Sequence, residues 1–112
     1  MIIGQWKTAT IALNGTLSGE VDLGRPYDTL LIIIPIIDSA QINVKAAEKT
    51  GETFQDVYIT EGDGTSAVVQ TDIGTGGITW VIPLGGFQFI KVQTSAAQTG
   101  GAREFRVCGC RS

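Results

Sequence analysis

Alternation of apolar and polar residues with a period of two runs the length of this chain, broken every few residues by Gly, Pro, Asn or Asp. Side chains two apart share one face of a strand, so the pattern specifies strands with one face turned to a core. Ala9, Ile11 and Leu13 alternate within Lys7 to Leu13, and Asn14-Gly15 follows, a dipeptide that tolerates the positive φ of a hairpin turn. Leu17, Val21 and Leu23 continue at even spacing toward Gly24. Ile42, Val44 and Ala46 alternate with Gln41, Asn43 and Lys45, as in a strand with one wet face. Phe54 to Thr60 reads as a strand closed by Glu61-Gly62-Asp63-Gly64, and Ala67 to Thr71 as a short one. Ile78 to Ile82 is stopped by Pro83 and Gly85-Gly86; Phe87 to Thr94 and Glu104 to Gly109 close the chain around a small polar loop, Ser95 to Gly101. Strands at this pitch without helical interludes predict an all-β fold with little or no helix, an antiparallel β-sandwich or jelly-roll-like domain of eight or nine short strands. At 112 residues the chain makes one such domain, 1–112, with residues 1–6 as a possible N-terminal arm.

Several strands break the alternation by being apolar on both faces, notably Leu30 to Ile34, Ile78 to Ile82 and Phe87 to Val92. The first of these reads as a central strand packed on each side and ended by Pro35. A two-layer sandwich buries only one face of each sheet, so the second face needs a loop, the N-terminal arm or another subunit. Composition points the same way: only 17% of residues are charged, against roughly 25% in a typical soluble domain. Too few charges remain to coat a lone copy, and a homo-oligomer is expected.

The same composition disfavours several functions. Eight Lys and Arg against 11 Asp and Glu give a net charge of −3, unlike the clustered basic surface that grips nucleic acid. No histidine is present, which removes the usual general base at neutral pH and the commonest zinc ligand. Asp56 and Glu61 form a conceivable carboxylate pair, but no base or nucleophile elbow accompanies them, so no catalytic residue, metal or cofactor is expected. Asp72 to Gly77 is glycine-rich yet lacks the lysine and spacing of a phosphate loop, and Glu61 to Gly64 lacks the ligand series of a calcium loop. The apolar run from Leu30 to Ile37 is far shorter than the roughly 20 residues that span a bilayer, so no membrane partner is expected. The start, Met1 to Lys7, turns polar too early for a secretory signal, giving an expectation of synthesis in the cytoplasm and no use of the Asn14-Gly15-Thr16 glycosylation triplet. Cys108 and Cys110, one glycine apart, are expected as free thiols, since an extended strand holds them about 6.6 Å apart.

The candidate functional residues are therefore interface residues. Ile2, Ile3 and Trp6 put an apolar arm at the N-terminus, and Phe87 and Phe89 fall on a strand apolar on both faces. Arg25, Arg103, Arg106 and Arg111 are half the basic residues, and the planar guanidinium suits Arg25 and the others to interface pairing. Trp6, Tyr27, Tyr58 and Trp80 offer an alternative, a sugar-stacking platform, with Trp6 or Tyr27 on the sugar.

Two stretches also carry a resemblance. Gly19-Glu20-Val21-Asp22-Leu23-Gly24-Arg25-Pro26-Tyr27, leading into the apolar strand, Pro35 and Ile42-Asn43-Val44, resembles the first half of small β-sandwich structural proteins of tailed bacteriophages. Gly85-Gly86-Phe87-Gln88-Phe89-Ile90-Lys91-Val92 and Arg103-Glu104-Phe105-Arg106-Val107 resemble their closing hairpin, which discoidin-like carbohydrate-binding domains share. The resemblance covers most of residues 19 to 109 and implies a virion protein. It implies a capsid decoration or cement protein, often a trimer, whose partners are the major capsid protein or other virion proteins. It supplies no catalytic residues, and the Cys108-Gly109-Cys110 ending departs from it. The alternative from a different class is a carbohydrate-binding module of a phage tail or baseplate.

Overall fold

The computed structural model describes residues 2–60 and 66–111, so Met1 and the expected Glu61 to Gly64 turn lie outside the described residues. Among the described residues there are nine strands: β1 (Ile2–Ile3), β2 (Lys7–Ile11), β3 (Val21–Ile34), β4 (Ile42–Ala47), β5 (Gln55–Asp56), β6 (Tyr58–Thr60), β7 (Ser66–Val68), β8 (Ile78–Thr94) and β9 (Arg103–Arg111). All pairings are antiparallel and no helix occurs among the described residues, as the alternation predicts.

Two long strands turn one sheet into two layers. The 14-residue β3 and the 17-residue β8 pair along their lengths, with register shifts between Asp22 and Thr29. At this corner Gly24, Gly85 and Gly86 adopt φ of 92°, 75° and 97°, which side chains with a Cβ resist. The Gly85-Gly86 pair thus bends β8 and does not stop it, contrary to the sequence expectation of two separate short strands. Asp22 locks the bend, accepting hydrogen bonds from Gln88 Nε2 (2.9 Å) and Gly24 N (2.8 Å); these two bonds hold its carboxyl below the usual carboxylate range.

Beyond the corner, β8 pairs β4, which in turn pairs β5 and is flanked by bridges to Gln70 and Gly74; this is the first layer. The second layer runs β8, β3, β9, with β1 and β2 following one another along the outer edge of β9. Ile42, Val44, Ile90 and Val92 of the first layer meet Leu30, Ile32, Leu84, Phe105 and Val107 of the second, all fully buried. Strands that change layers at a glycine bend are the corner device of sandwiches.

Two local expectations change. The Asn14 turn forms, with φ of 65° and a Gly15 N to Ala12 O bond of 2.8 Å, but it closes no hairpin. It carries the chain across to the first layer instead, where Ser18 N donates to Val92 O and Thr94 N to Thr16 O, each 2.8 Å, while β2 pairs β9. The single strand expected over Phe54 to Thr60 divides at Val57, whose amide donates to Val44 O at 3.2 Å as its side chain enters the core. The small polar loop after β8 is anchored by Gln98, fully buried and satisfied by Asp38 N (2.8 Å) and Ala96 O (3.0 Å).

Candidate interaction surface

Register places a defined set of side chains on the outer face of the second layer. Phe105 and Val107 point into the core, so Glu104, Arg106, Cys108 and Cys110 of β9 face outward. Their cross-strand neighbours share that face. Cys110 lies between Ile3 and Thr29, and Thr29 is opposite Pro83. Cys108 is opposite Leu31, which is opposite Val81; Arg106 lies between Thr8 and Ile33, and Ile33 is opposite Thr79. The result is a platform four strands wide in which Glu104 and Arg106 are the charged members.

Its edge is shaped by a bulge. Pairing of Ile3 with Cys110 and of Lys7 with Val107 leaves one residue too many on the N-terminal segment, so Gly4 and Gln5 together oppose Gly109. The extra residue returns Trp6 to the outer face, beside Cys108. Gly4 N donates to Gly109 O at 2.8 Å, and the Cys108 thiol donates to Gly4 O at 3.3 Å. Both cysteines are free and buried, and burial followed by the neighbouring Cys110 pushes the Cys108 thiol above its ordinary value. On the inner side Tyr27 lies flat on this junction: a Cβ at Gly109 or Gly4 would overlap its ring.

Four of the exposed large apolar residues lie together on this platform, while others, among them Leu13, Ile36 and Ile73, are scattered along turns and loops. Val81 is 68% exposed, Ile3 58%, Trp6 39% and Ile33 37%, although all four stand in or beside regular strands. Leu30 to Ile34, expected to be packed on each side, thus buries Leu30, Ile32 and Ile34 and leaves its other face only partly covered, with Leu31 half-buried and Ile33 exposed. The cause is geometric, since two layers have two inner faces and, among the described residues, only the N-terminal segment lies against the outer side of the second layer, at its edge beside Cys108 and Cys110.

The expected interface residues divide between four places. Ile3 and Trp6 lie on the platform. Ile2, Ile3 and Arg25 line a groove of about 350 Å3 with Gln5, Lys7 and Tyr27, so the residues expected as an arm are held along β9 over Ile2 to Gly4. Phe87 lies at the corner opposite Tyr27, while Phe89, half-buried, is opposite Ala47 on the outer face of the first layer. Among the arginines, Arg103 is tied internally to Asp38 at 2.7 Å, whereas Arg106 donates to Thr8 Oγ1 at 2.7 Å and faces outward. Sequence reading missed Leu31, Ile33 and Val81 as surface residues; the double-faced apolar strand was their signal, but only register says which face is outer.

The other sequence features resolve simply. Tyr27 is buried, which corrects its reading as a sugar platform; Tyr58 is 63% exposed and Trp80 packs partly against the core. Asp56 pairs with Lys45 at 2.9 Å and accepts from Asn43 Nδ2 at 3.0 Å, while Glu61 lies outside the described residues. In the Asp72 to Gly77 loop, Gly74 pairs with Ala40 and Gly76, at φ 108°, passes so close to Pro35 O that a Cβ would sit 2.5 Å from it. That loop is a backbone crossing.

Fold and platform together define an all-β, sandwich-like domain in which the described residues leave an apolar sheet face partly exposed. No protein-family model and no curated protein matches the chain. Among solved structures it is similar to the SPBc2 prophage-derived protein YomS, at 15% identity and a TM-score of 0.52, covering 97% of each chain. It is also similar to part of a family 89 glycoside hydrolase from Clostridium perfringens solved with 2-acetamido-1,2-dideoxynojirmycin, at 17% identity and a TM-score of 0.50; the match covers 94% of this chain and 14% of that one. The CBM32 of AlyQ, in complex with 4,5-unsaturated mannuronic acid, matches at 13% identity over 92% of this chain and 76% of that one, with a TM-score of 0.46. At these identities the likeness is one of fold.

Proposed function

We propose that this chain is a non-enzymatic structural protein of a tailed-phage virion, made in the host cytoplasm and seated on the head lattice as a decoration or cement protein. The observation that carries the reading is the apolar platform on which a lone copy leaves Ile3, Trp6, Ile33 and Val81 exposed around a half-buried Leu31. Full-length likeness in fold to a prophage-derived protein supports the phage setting. Cementing works by mass action: a protein that binds the assembled shell and not its open form raises the free energy needed to open it. Repetition around symmetry axes multiplies weak contacts into avidity.

The test is mass spectrometry of density-purified phage particles from a host that carries the gene, beside particles from a deletion strain. The expected result is stoichiometric incorporation, with deletion heads releasing DNA at a lower temperature. Absence of the chain from particles refutes the reading.

A second reading, a carbohydrate-binding module of a tail or baseplate, is favoured by one observation, the exposure of Tyr58 and Trp6 as possible stacking rings. Binding on a glycan array that Trp6→Ala or Tyr58→Ala abolishes would support it, and no binding to any host polysaccharide would remove it.

A further inference from the structure

We propose that the platform of the second layer is a two-fold interface on which a second copy of this chain packs face to face. The inference rests on the assembly reading above and names the first partner of that surface.

Three features select a second copy. The first is charge. Glu104 and Arg106 lie on the same strand and face, about 6.6 Å apart, and neither forms an ion pair among the described residues. A two-fold operation that sets residue i of one copy against residue j of the other also sets j against i. Glu104 of each copy can therefore meet Arg106 of the other, so the platform's charged members become partners and the assembled face is neutral.

The second feature is area. At roughly 150–250 Å2 for a large side chain, Ile3, Trp6, Ile33 and Val81 present about 400 Å2 at their observed exposures. Leu31, Pro83 and the surrounding threonine and charged side chains bring the platform toward the roughly 800 Å2 that each partner of a stable complex buries. The third is that the apolar strip is one contiguous patch on one sheet face, joined across strands by register. A ring of three needs two different patches on each copy, whereas a two-fold pair buries one patch on itself. The pair thus replaces the trimer that the family resemblance implies.

The test is sedimentation velocity of the full chain from about 1 to 200 µM, with circular dichroism to confirm folding of every variant. The expected mass rises from one copy to two over this range, and Val81→Asp, at a mostly exposed position, should weaken association at least about tenfold. Glu104→Arg and Arg106→Glu should each weaken it as single variants. An equimolar mixture of those two singles should restore pairing, because each contact then sets an arginine against a glutamate, and the double variant should restore it also. Wild-type chains that stay single or form three copies overturn the proposal, as do charge reversals without effect or a mixture that fails to rescue. A pair that forms in solution but is absent from phage particles removes the virion reading and leaves this one standing; incorporation into particles by chains that stay single does the opposite.

Discussion

Adjacent isoleucines on β3 offer a sharp comparison. Ile32 is fully buried between the layers, and Ile33, one residue on, is 37% exposed on the platform. Ile32→Ala removes about three methylene equivalents at ~0.8 kcal/mol each and leaves a cavity, so its cost should fall at about 3–4 kcal/mol within the range for such truncations. Ile33→Ala removes the same atoms from a site already part wet and with nothing packed above it, and should cost about 1 kcal/mol in the single chain. The assay is urea unfolding at about 1 µM, where the chains are separate, repeated at about 100 µM. At the low concentration the two variants should differ by about 2 kcal/mol or more with unchanged slopes. At the high concentration the Ile33→Ala deficit should grow, because wild type gains from association and the variant gains less. Equal costs at low concentration would mean that both faces of β3 are packed within one copy, and the platform would not exist.

Further expectations follow from individual contacts. Gly109→Ala should destabilise the fold by about 1–3 kcal/mol in thermal or urea melts, and combining it with Tyr27→Ala should cost less than the sum of the two, because the ring it strikes is gone. Asp38 has its carboxyl held below the usual range first by the Gly100 amide and then by Arg103, and Glu20 and Asp22 are likewise lowered by their hydrogen bonds. A depressed carboxylate stabilises the fold above its unfolded-state value of about 4 and loses that contribution as pH falls through its folded value. Acid melts should therefore steepen below about pH 4, and Asp38→Asn should flatten part of that slope. Neither Cys108 nor Cys110 should react with a disulfide reagent in the native chain at neutral pH, and both should react in denaturant; rapid native labelling would show that the Gly4 cover does not hold.

Much of this fold is legible in the sequence because period-two alternation writes the inner face directly. Ile42, Val44 and Ala46 are buried while Asn43 and Lys45 stay half wet, as their spacing predicts. Pro35 follows Ile34, the last residue of β3, as expected, whereas Pro83, expected to stop its strand, is carried within β8 opposite Thr29. The glycines at the corner were misread because Gly85-Gly86 carries the same local signal whether a strand ends or bends, and only pairing with β3 on one side and β4 on the other distinguishes the two. Asn14-Gly15 specified a turn correctly, but a turn does not say which strand the chain meets after it.

The interaction surface was legible in kind and only partly in place. Composition and the double-faced strands called for a covered exterior, and Ile3 and Trp6 do lie on the platform. Phe89 was assigned to the same interface, yet an even number of residues along β8 carries it round the corner to the other layer. Long-range register, set by β9 lying beside β3, assembles Leu31, Val81 and the two cysteines, and no local pattern contains that information.

The most direct measurement is side-chain footprinting of the full chain with a photoactivated carbene across a hundredfold range of concentration. Labelling of Trp6, Ile33 and Val81 should fall as concentration rises, while Tyr58, exposed outside the platform, should label equally throughout. Uniform labelling of all four residues at every concentration would contradict the claim that this sheet face is built to be covered.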